Sequence, residues 1–233
     1  MAKDNIEFEE GKGGAQNPVE KYEKPLTIAG VALIVIVLGY FGFTRFYLEP
    51  KQDEALANMF MAEQFFSKDS FKLALEGNSE AEIMGFDEIA DVYGITAAGN
   101  LAHYYAGICN LQLGSKSKDS IKALDYYSAA VDHLKSFSSD SRMLAPLSLG
   151  ACGDALCELA EYNEAVKFYN KAAIADENEY TAAMYLKKAG LVYEKLGDAE
   201  KALATYTKIK NEYGTTQIGN SIDKYISRAQ TLK

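Results

Sequence analysis

Histidine occurs only twice in this chain, cysteine three times and proline four times, and 24 Lys and Arg face 33 Asp and Glu. Each shortage narrows what the protein can do. His103 and His133 show no H-E-x-x-H or Cys/His ligand spacing, so no metal centre is expected. No serine or cysteine nucleophile motif accompanies them, which leaves no catalytic constellation and no enzyme activity to expect. The tyrosine pairs Tyr104–Tyr105 and Tyr126–Tyr127 fit packing at helical spacing rather than a cofactor site, and no cofactor is expected. Cys109, Cys152 and Cys157 are odd in number, and five residues along one helix point Cys152 and Cys157 apart. They read as small buried apolar residues, not a disulfide framework. The net charge of −9 argues against nucleic acid, which is gripped by Lys and Arg against phosphate. The charge is spread along the chain rather than gathered in a tail, and serves solubility. Few prolines among many Ala, Lys, Glu, Leu and Tyr favour long helices over strands.

What the chain does have is one long apolar run. LTIAGVALIVIVLGYFGF, Leu26 to Phe43, carries no charge over 18 residues. As a helix it reaches about 27 Å, close to the ~30 Å hydrocarbon core of a bilayer. Tyr40, Phe41, Phe43, Phe46 and Tyr47 crowd its C-terminal end like an interfacial aromatic belt. A buried core helix would carry some polar face. A cleavable signal would have a shorter run, a shorter leader and a small-residue cleavage site where these aromatics stand. The run is therefore read as a retained transmembrane helix, residues 26–47. Lys3, Lys12, Lys21 and Lys24 precede it, against Arg45 and Lys51 after it, which favours a cytoplasmic N-terminus and an external C-terminal domain. Residues 1–25 are expected to form a disordered tail, since GKGGAQNP is a flexible composition and Pro18 and Pro25 interrupt a helix. GKGG lacks the spacing of a phosphate loop.

The remainder repeats itself. AGLVYEKLGDAEKALATY (Ala189 to Tyr206) has a counterpart in CGDALCELAEYNEAVKFY (Cys152 to Tyr169), with Gly190 over Gly153, Ala202 over Ala165 and Tyr206 over Tyr169. A third copy places Gly107, Ala123, Tyr127 and Ala130 in register, with about four extra residues in SKSKDS lengthening its turn. A fourth places Ala74. The anchor alanines are 49, 42 and 37 residues apart, so the copies carry insertions. One insertion falls near GNSEAEIMGF, because IADVYGIT (89–96) matches IKNEYGTT (209–216). Each unit reads as two antiparallel helices joined at a turn such as LGD or LAEY. Small residues sit where the helices touch and large ones fill the gaps between units. A single pair cannot bury its face, so copies stack.

These residues resemble the tetratricopeptide repeat, a large residue followed by Leu-Gly, Tyr, Ala, Phe/Tyr and Ala at set offsets. The match is closest for the copies beginning near Pro146 and Ala183. It departs from the family in having no Trp, and in Glu177 and Gly214 at the place of the terminal proline. The resemblance implies an all-α chain: the transmembrane helix, then a right-handed α-solenoid of about four helix pairs (48–214), then a capping helix (215–233). Ile218, Ile222, Tyr225, Ile226 and Ala229 form one stripe on that cap.

Carried over by position, the family's concave protein-binding groove would present Met59, Glu63 and Phe66 from the first pair and Tyr104, Ile108 and Leu111 from the second. The third would add Leu147, Asp154 and Glu158, and the fourth Met184, Lys187, Leu191 and Glu194. With Lys187 its one cation, this groove is apolar with an acidic second half and does not fit the family's carboxylate clamp. Each of these residues could equally be core between units. The layout, with FDEIADVYGITAAGNLAHYYAG and DALCELAEYNEAVKFYNKA, is similar to the bacterial ancillary subunit of the SecYEG translocon. That family is anchored in the inner membrane by one N-terminal helix, with its repeat domain in the periplasm. The resemblance implies partners among translocon components, a membrane-anchored prolyl-isomerase-type foldase and emerging secretory chains. Two other readings stay open: a scaffold of another cell-envelope complex, and a cytoplasm-facing membrane-anchored adaptor.

Overall fold

The computed structural model describes residues 18–175 and 179–232. The tail before Pro18, and Glu177, lie outside them. All regular structure among the described residues is helical apart from an isolated antiparallel bridge, Asn78 to Ile83. The chain divides into two compact units, residues 1–49 and 50–233.

The first unit contains α1 (Pro18–Phe43) and a π-helical turn, Thr44–Leu48. Residues 18–25 are helical, which corrects the expected extent of the tail. Pro25 is accommodated within the helix. From Leu26 to Leu38 every large apolar side chain is exposed, so this is not a core helix. Leaving one such side chain in water costs about 1.5–3 kcal/mol relative to burying it. One helix is thus long and apolar enough to cross a membrane.

The second unit opens with α2 (Glu49–Ser67) and α3 (Phe71–Glu76). A loop carrying a 3₁₀ turn at Ser79–Ala81 leads to α4 (Phe86–Tyr93). Then follow α5 (Ala97–Lys116), α6 (Ser120–Ser136), α7 (Leu144–Glu158) and α8 (Tyr162–Ile174). After these come α9 (Glu179–Lys195), α10 (Ala199–Glu212), α11 (Gln217–Asn220) and α12 (Asp223–Thr231). The expected single cap is therefore two pieces. Ser221 and Ile222 donate their N–H groups to Ile218 and Gly219, three residues back, and the helix breaks there.

Three helix pairs share one turn. Asp69 between α2 and α3, Ala160 between α7 and α8, and Gly197 between α9 and α10 all have positive φ, at 56°, 59° and 76°. Each turn closes with the same two backbone bonds. In the first, Asp69 N–H donates to Phe66 O and Ser70 N–H to Phe65 O; Ala160 and Glu161, then Gly197 and Asp198, repeat the pattern. Downstream of these turns Ala74, Ala165 and Ala202 are fully buried, as their register requires. Within α7/α8 and α9/α10 a glycine lies flat under a tyrosine. A Cβ on Gly153 would come within 2.7 Å of the Tyr169 ring, and one on Gly190 within 2.2 Å of the Tyr206 ring.

The α5/α6 pair departs from this register. Tyr127 lies over Gly114, and Gly107 lies against Leu134, so Gly107 and Tyr127 are not partners; Ala123 is only half-buried. The four extra residues do not lengthen the turn. They extend α5 through Gly114 to Lys116 and leave a connection of only Ser117–Asp119, where Asp119 caps α6 through Ile121 and Lys122 N–H. Adding about a turn of helix moves every cross-hairpin contact.

The core falls into two clusters. One is built from α2–α5, and the other from α6–α10 with Ile222 and Ala229 of the C-terminal segment. Tyr104, Ile108 and Leu111 of α5 pack against the second, so α5 serves as a shared wall. Among first helices, Gln52 of α2 accepts from Ala98 N–H at the start of α5, α5 touches α7, and α7 touches α9.

Candidate functional site

The thirteen groove candidates lie on α2, α5, α7 and α9, and their burial differs. Met59 is 3% exposed and belongs to the core; this corrects its assignment as a groove contact. Ala55 and Ala62 on α2 and Ala98 and Ala102 on α5 join it in one cluster, and such small side chains let the helices close over it. Phe66 is half-buried in an aromatic knot, with ring centroids 5.5 Å from Phe71, 6.2 Å from Phe86 and 5.1 Å from Tyr105. Glu63, Ile108, Leu111, Leu147 and Met184 are half-buried. Tyr104 is too, its ring 5.4 Å from that of Phe137. Glu158 and Leu191 are exposed. Lys187 Nζ sits 4.9 Å over the Tyr225 ring.

The expected acidic second half is largely neutralised within the chain. Asp154 accepts from Lys188 Nζ at 2.6 and 2.7 Å and from the Tyr169 hydroxyl at 2.6 Å. Glu194 pairs with Arg228 at 2.6 Å and accepts from the Tyr206 hydroxyl at 3.0 Å. The two clusters have one design. A carboxylate on the first helix of a pair takes a tyrosine hydroxyl from its own second helix and a cation from the next helix in line. Carboxylate and cation are 34 residues apart in both. Burial, followed by the adjacent carboxylate, raises both tyrosine hydroxyls above the ordinary range, so they act as donors. Lys188 also stands over the Tyr169 and Tyr185 rings at 5.7 and 5.8 Å. Only Glu158 of the three acids remains exposed.

Lys188, Arg228, Tyr169 and Tyr206 are the polar residues that position-by-position carry-over missed. The signal was there: a residue of one repeat meets the next repeat about a helical turn earlier than its own equivalent, and a 34-residue offset finds both cations.

A second recurrence relates the α4/α5 and α10/α11 junctions. Thr96 Oγ1 donates to Tyr93 O at 2.7 Å and accepts from Gly99 N–H at 3.0 Å. Thr216 Oγ1 does the same with Tyr213 O and Gly219 N–H, at 2.7 and 3.0 Å. The helix start at α11 thus copies the one at α5.

Among the described residues no group of three or more His, Cys, Asp or Glu could hold a metal ion. All three cysteines are free. Burial pushes the Cys109 thiol up to about 12 and Cys152 to about 11, which makes both poor nucleophiles. No protein-family model matches this chain, and no curated protein sequence matches it.

Proposed function

We propose that the chain is a membrane-anchored protein-binding module: a right-handed stack of four tetratricopeptide-like helix pairs, closed by α11 and α12 and hung from a single span. The observation that carries this reading is the repeated tyrosine–carboxylate–cation cluster with its 34-residue offset. Independent pairs would have no reason to reproduce it, whereas stacked copies meet one another at a constant interval. The shared turns at Asp69, Ala160 and Gly197 extend the same argument to the first pair. For the anchor, the support is the fully exposed apolar surface of α1.

The face this stack presents is a strip of Tyr104, Ile108, Leu111, Leu147, Met184 and Leu191, with most of its charges already paired. Such a surface has little with which to select a charged terminus. It suits apolar segments of polypeptide, against which methionine and aromatic side chains can repack. With the lysines before the span, the domain is placed on the outer face of a bacterial inner membrane, as an ancillary subunit of the Sec translocon. There it meets emerging chains or recruits a foldase. That assignment rests on the resemblance in layout. The three free cysteines favour instead a cytoplasm-facing adaptor, so topology must be settled first.

The test has two steps. A reporter active only outside the cytoplasm, fused after Lys233, is expected to be active; an inactive one selects the cytoplasmic adaptor. Photo-crosslinkers at Leu147, Met184 and Leu191 in native membranes are expected to trap translocon components or secretory chains. Trapping one unrelated envelope protein would replace the translocon reading by that of a scaffold.

A further inference from the structure

Three titratable side chains from α4, α5 and α6 meet at one point. His103 of α5 and His133 of α6 face each other across the hairpin, Nδ1 to Nδ1 at 3.0 Å. The other nitrogen of His133, Nε2, lies 2.9 Å from Oδ1 of Asp87, in the first turn of α4. The His133 side chain is only 14% exposed, whereas that of Asp87 is 57% exposed.

Proton counting fixes the states available. To reach Asp87, His133 carries its proton on Nε2, which leaves Nδ1 an acceptor. His103 must then donate from Nδ1, and its Nε2 is bare. One added proton fits at His103 Nε2: the bridging proton still lies between the two Nδ1 atoms, whichever ring formally holds the charge, and Asp87 is the counter-ion. A second added proton has no place. Both Nδ1 atoms would then carry hydrogen and point at each other across 3.0 Å, and the bridge must open.

The electrostatics agree with this count. Burial, then the facing His133, holds His103 below the ordinary histidine value, against the opposing pull of Asp91 and Asp87. The hydrogen bond to His133 holds Asp87 below the ordinary carboxylate range, so the acceptor stays ionised. The ionisable groups acting on His103 are His133 of α6 and Asp87 and Asp91 of α4.

We propose that His103, His133 and Asp87 form an acid-operated latch, which ties α4 to the α5/α6 hairpin with up to one added proton and lets go when both imidazoles are protonated. The element the latch holds is α4, which follows the loop after α3 and whose Phe86 and Ile89 sit in the α2–α5 core, so its loosening is read at the α4 amides. Because His103 binds its proton less readily folded than unfolded, the latch loses stability as pH falls through the unfolded value of about 6.5 toward the lower folded one.

The test uses the full chain in detergent micelles with ring-¹⁵N histidine, titrated from pH 8 to 4.5. At pH 8 the long-range ¹H–¹⁵N pattern is expected to show Nδ1–H on His103 and Nε2–H on His133. Acid should give two macroscopic steps separated by more than about one pH unit. Hydrogen exchange of the α4 amides, corrected for intrinsic rates, is expected to rise about tenfold or more through the second step, and not in His103→Gln. In His133→Gln, His103 should titrate in a single step at higher pH. Two independent histidines with one common midpoint, or α4 exchange unchanged through both steps, would overturn the latch. The wild-type tautomer pattern decides the bridge even where a variant fails to fold.

Discussion

Adding one methyl group at Gly190 tests the close approach of α9 and α10. A Cβ there would lie 2.2 Å from Cε1 of Tyr206, 2.7 Å from Cζ and 2.9 Å from Cδ1. Ordinary contact begins near 3.4 Å, so the ring must retreat by about 1.2 Å. It has nowhere to go. Tyr206 is fully buried, its hydroxyl is bound to Glu194 at 3.0 Å, and the Tyr225 ring stands 5.5 Å away. Overpacking of this kind costs about 1–3 kcal/mol, and a boxed ring puts it at the upper end. Against that, alanine within a helix gains about 1 kcal/mol over glycine. The net expectation for Gly190→Ala is a loss of about 2 kcal/mol, or ~4–8 °C in Tm for a domain of this size. Thermal and urea unfolding of the full chain in detergent, followed by circular dichroism, measures it. In a Tyr206→Leu background the clash is relieved and the same substitution should turn neutral or stabilising. Gly190→Ala as stable as the parent while Tyr206 is intact would refute close approach as the reason for the glycine.

Ala160 holds a left-handed conformation at φ 59° where the matching turn has Gly197, so Ala160→Gly should raise stability by about 0.5–1 kcal/mol in the same unfolding assay. Asp154→Ala should cost about 1–3 kcal/mol, because it leaves the buried Tyr169 hydroxyl only the Cys157 sulfur at 3.5 Å. Lys188→Met, which breaks a part-exposed ion pair, should cost under about 1 kcal/mol; equal losses would contradict the ranking. With the Cys109 and Cys152 thiols raised to about 12 and 11, a thiol reagent at pH 8 should spare both in the folded chain and label them once urea unfolds it; fast native labelling of either would contradict their burial.

Where local chemistry decides structure, the sequence was a sufficient guide. The buried register of Ala74, Ala165 and Ala202 and the hairpin turns follow from small residues at fixed offsets and from LGD-like turns. The helical start at Thr96 and Thr216 does not: IADVYGIT matches IKNEYGTT in sequence, but the turn shows only once each Thr is seen to cap the N–H of Gly99 or Gly219. What could not be read is what depends on a neighbour. SKSKDS has the composition of a loop. Only the fit of Gly114 beneath Tyr127 decides that the extra residues continue a helix. Met59 occupies a groove position by offset, yet it is buried in the α2–α5 core. Asp154 and Glu194 looked free because their cations belong to the next helix in the line.

Without the segment after α10, Tyr206 and Ile209 would lose the cover of Ile222 and Ala229, and Glu194 would lose the cation Arg228. The chain solves both problems with a partial copy of a first helix. α11 begins with the same Thr-capped turn as α5, then breaks at Ser221, and the break presents α12 so that Arg228 reaches Glu194 as Lys188 reaches Asp154. Ile222 and Ala229 are fully buried while Asp223, Lys224 and Ser227 on the same segment are exposed. The segment therefore satisfies the last pair without offering a new face for another.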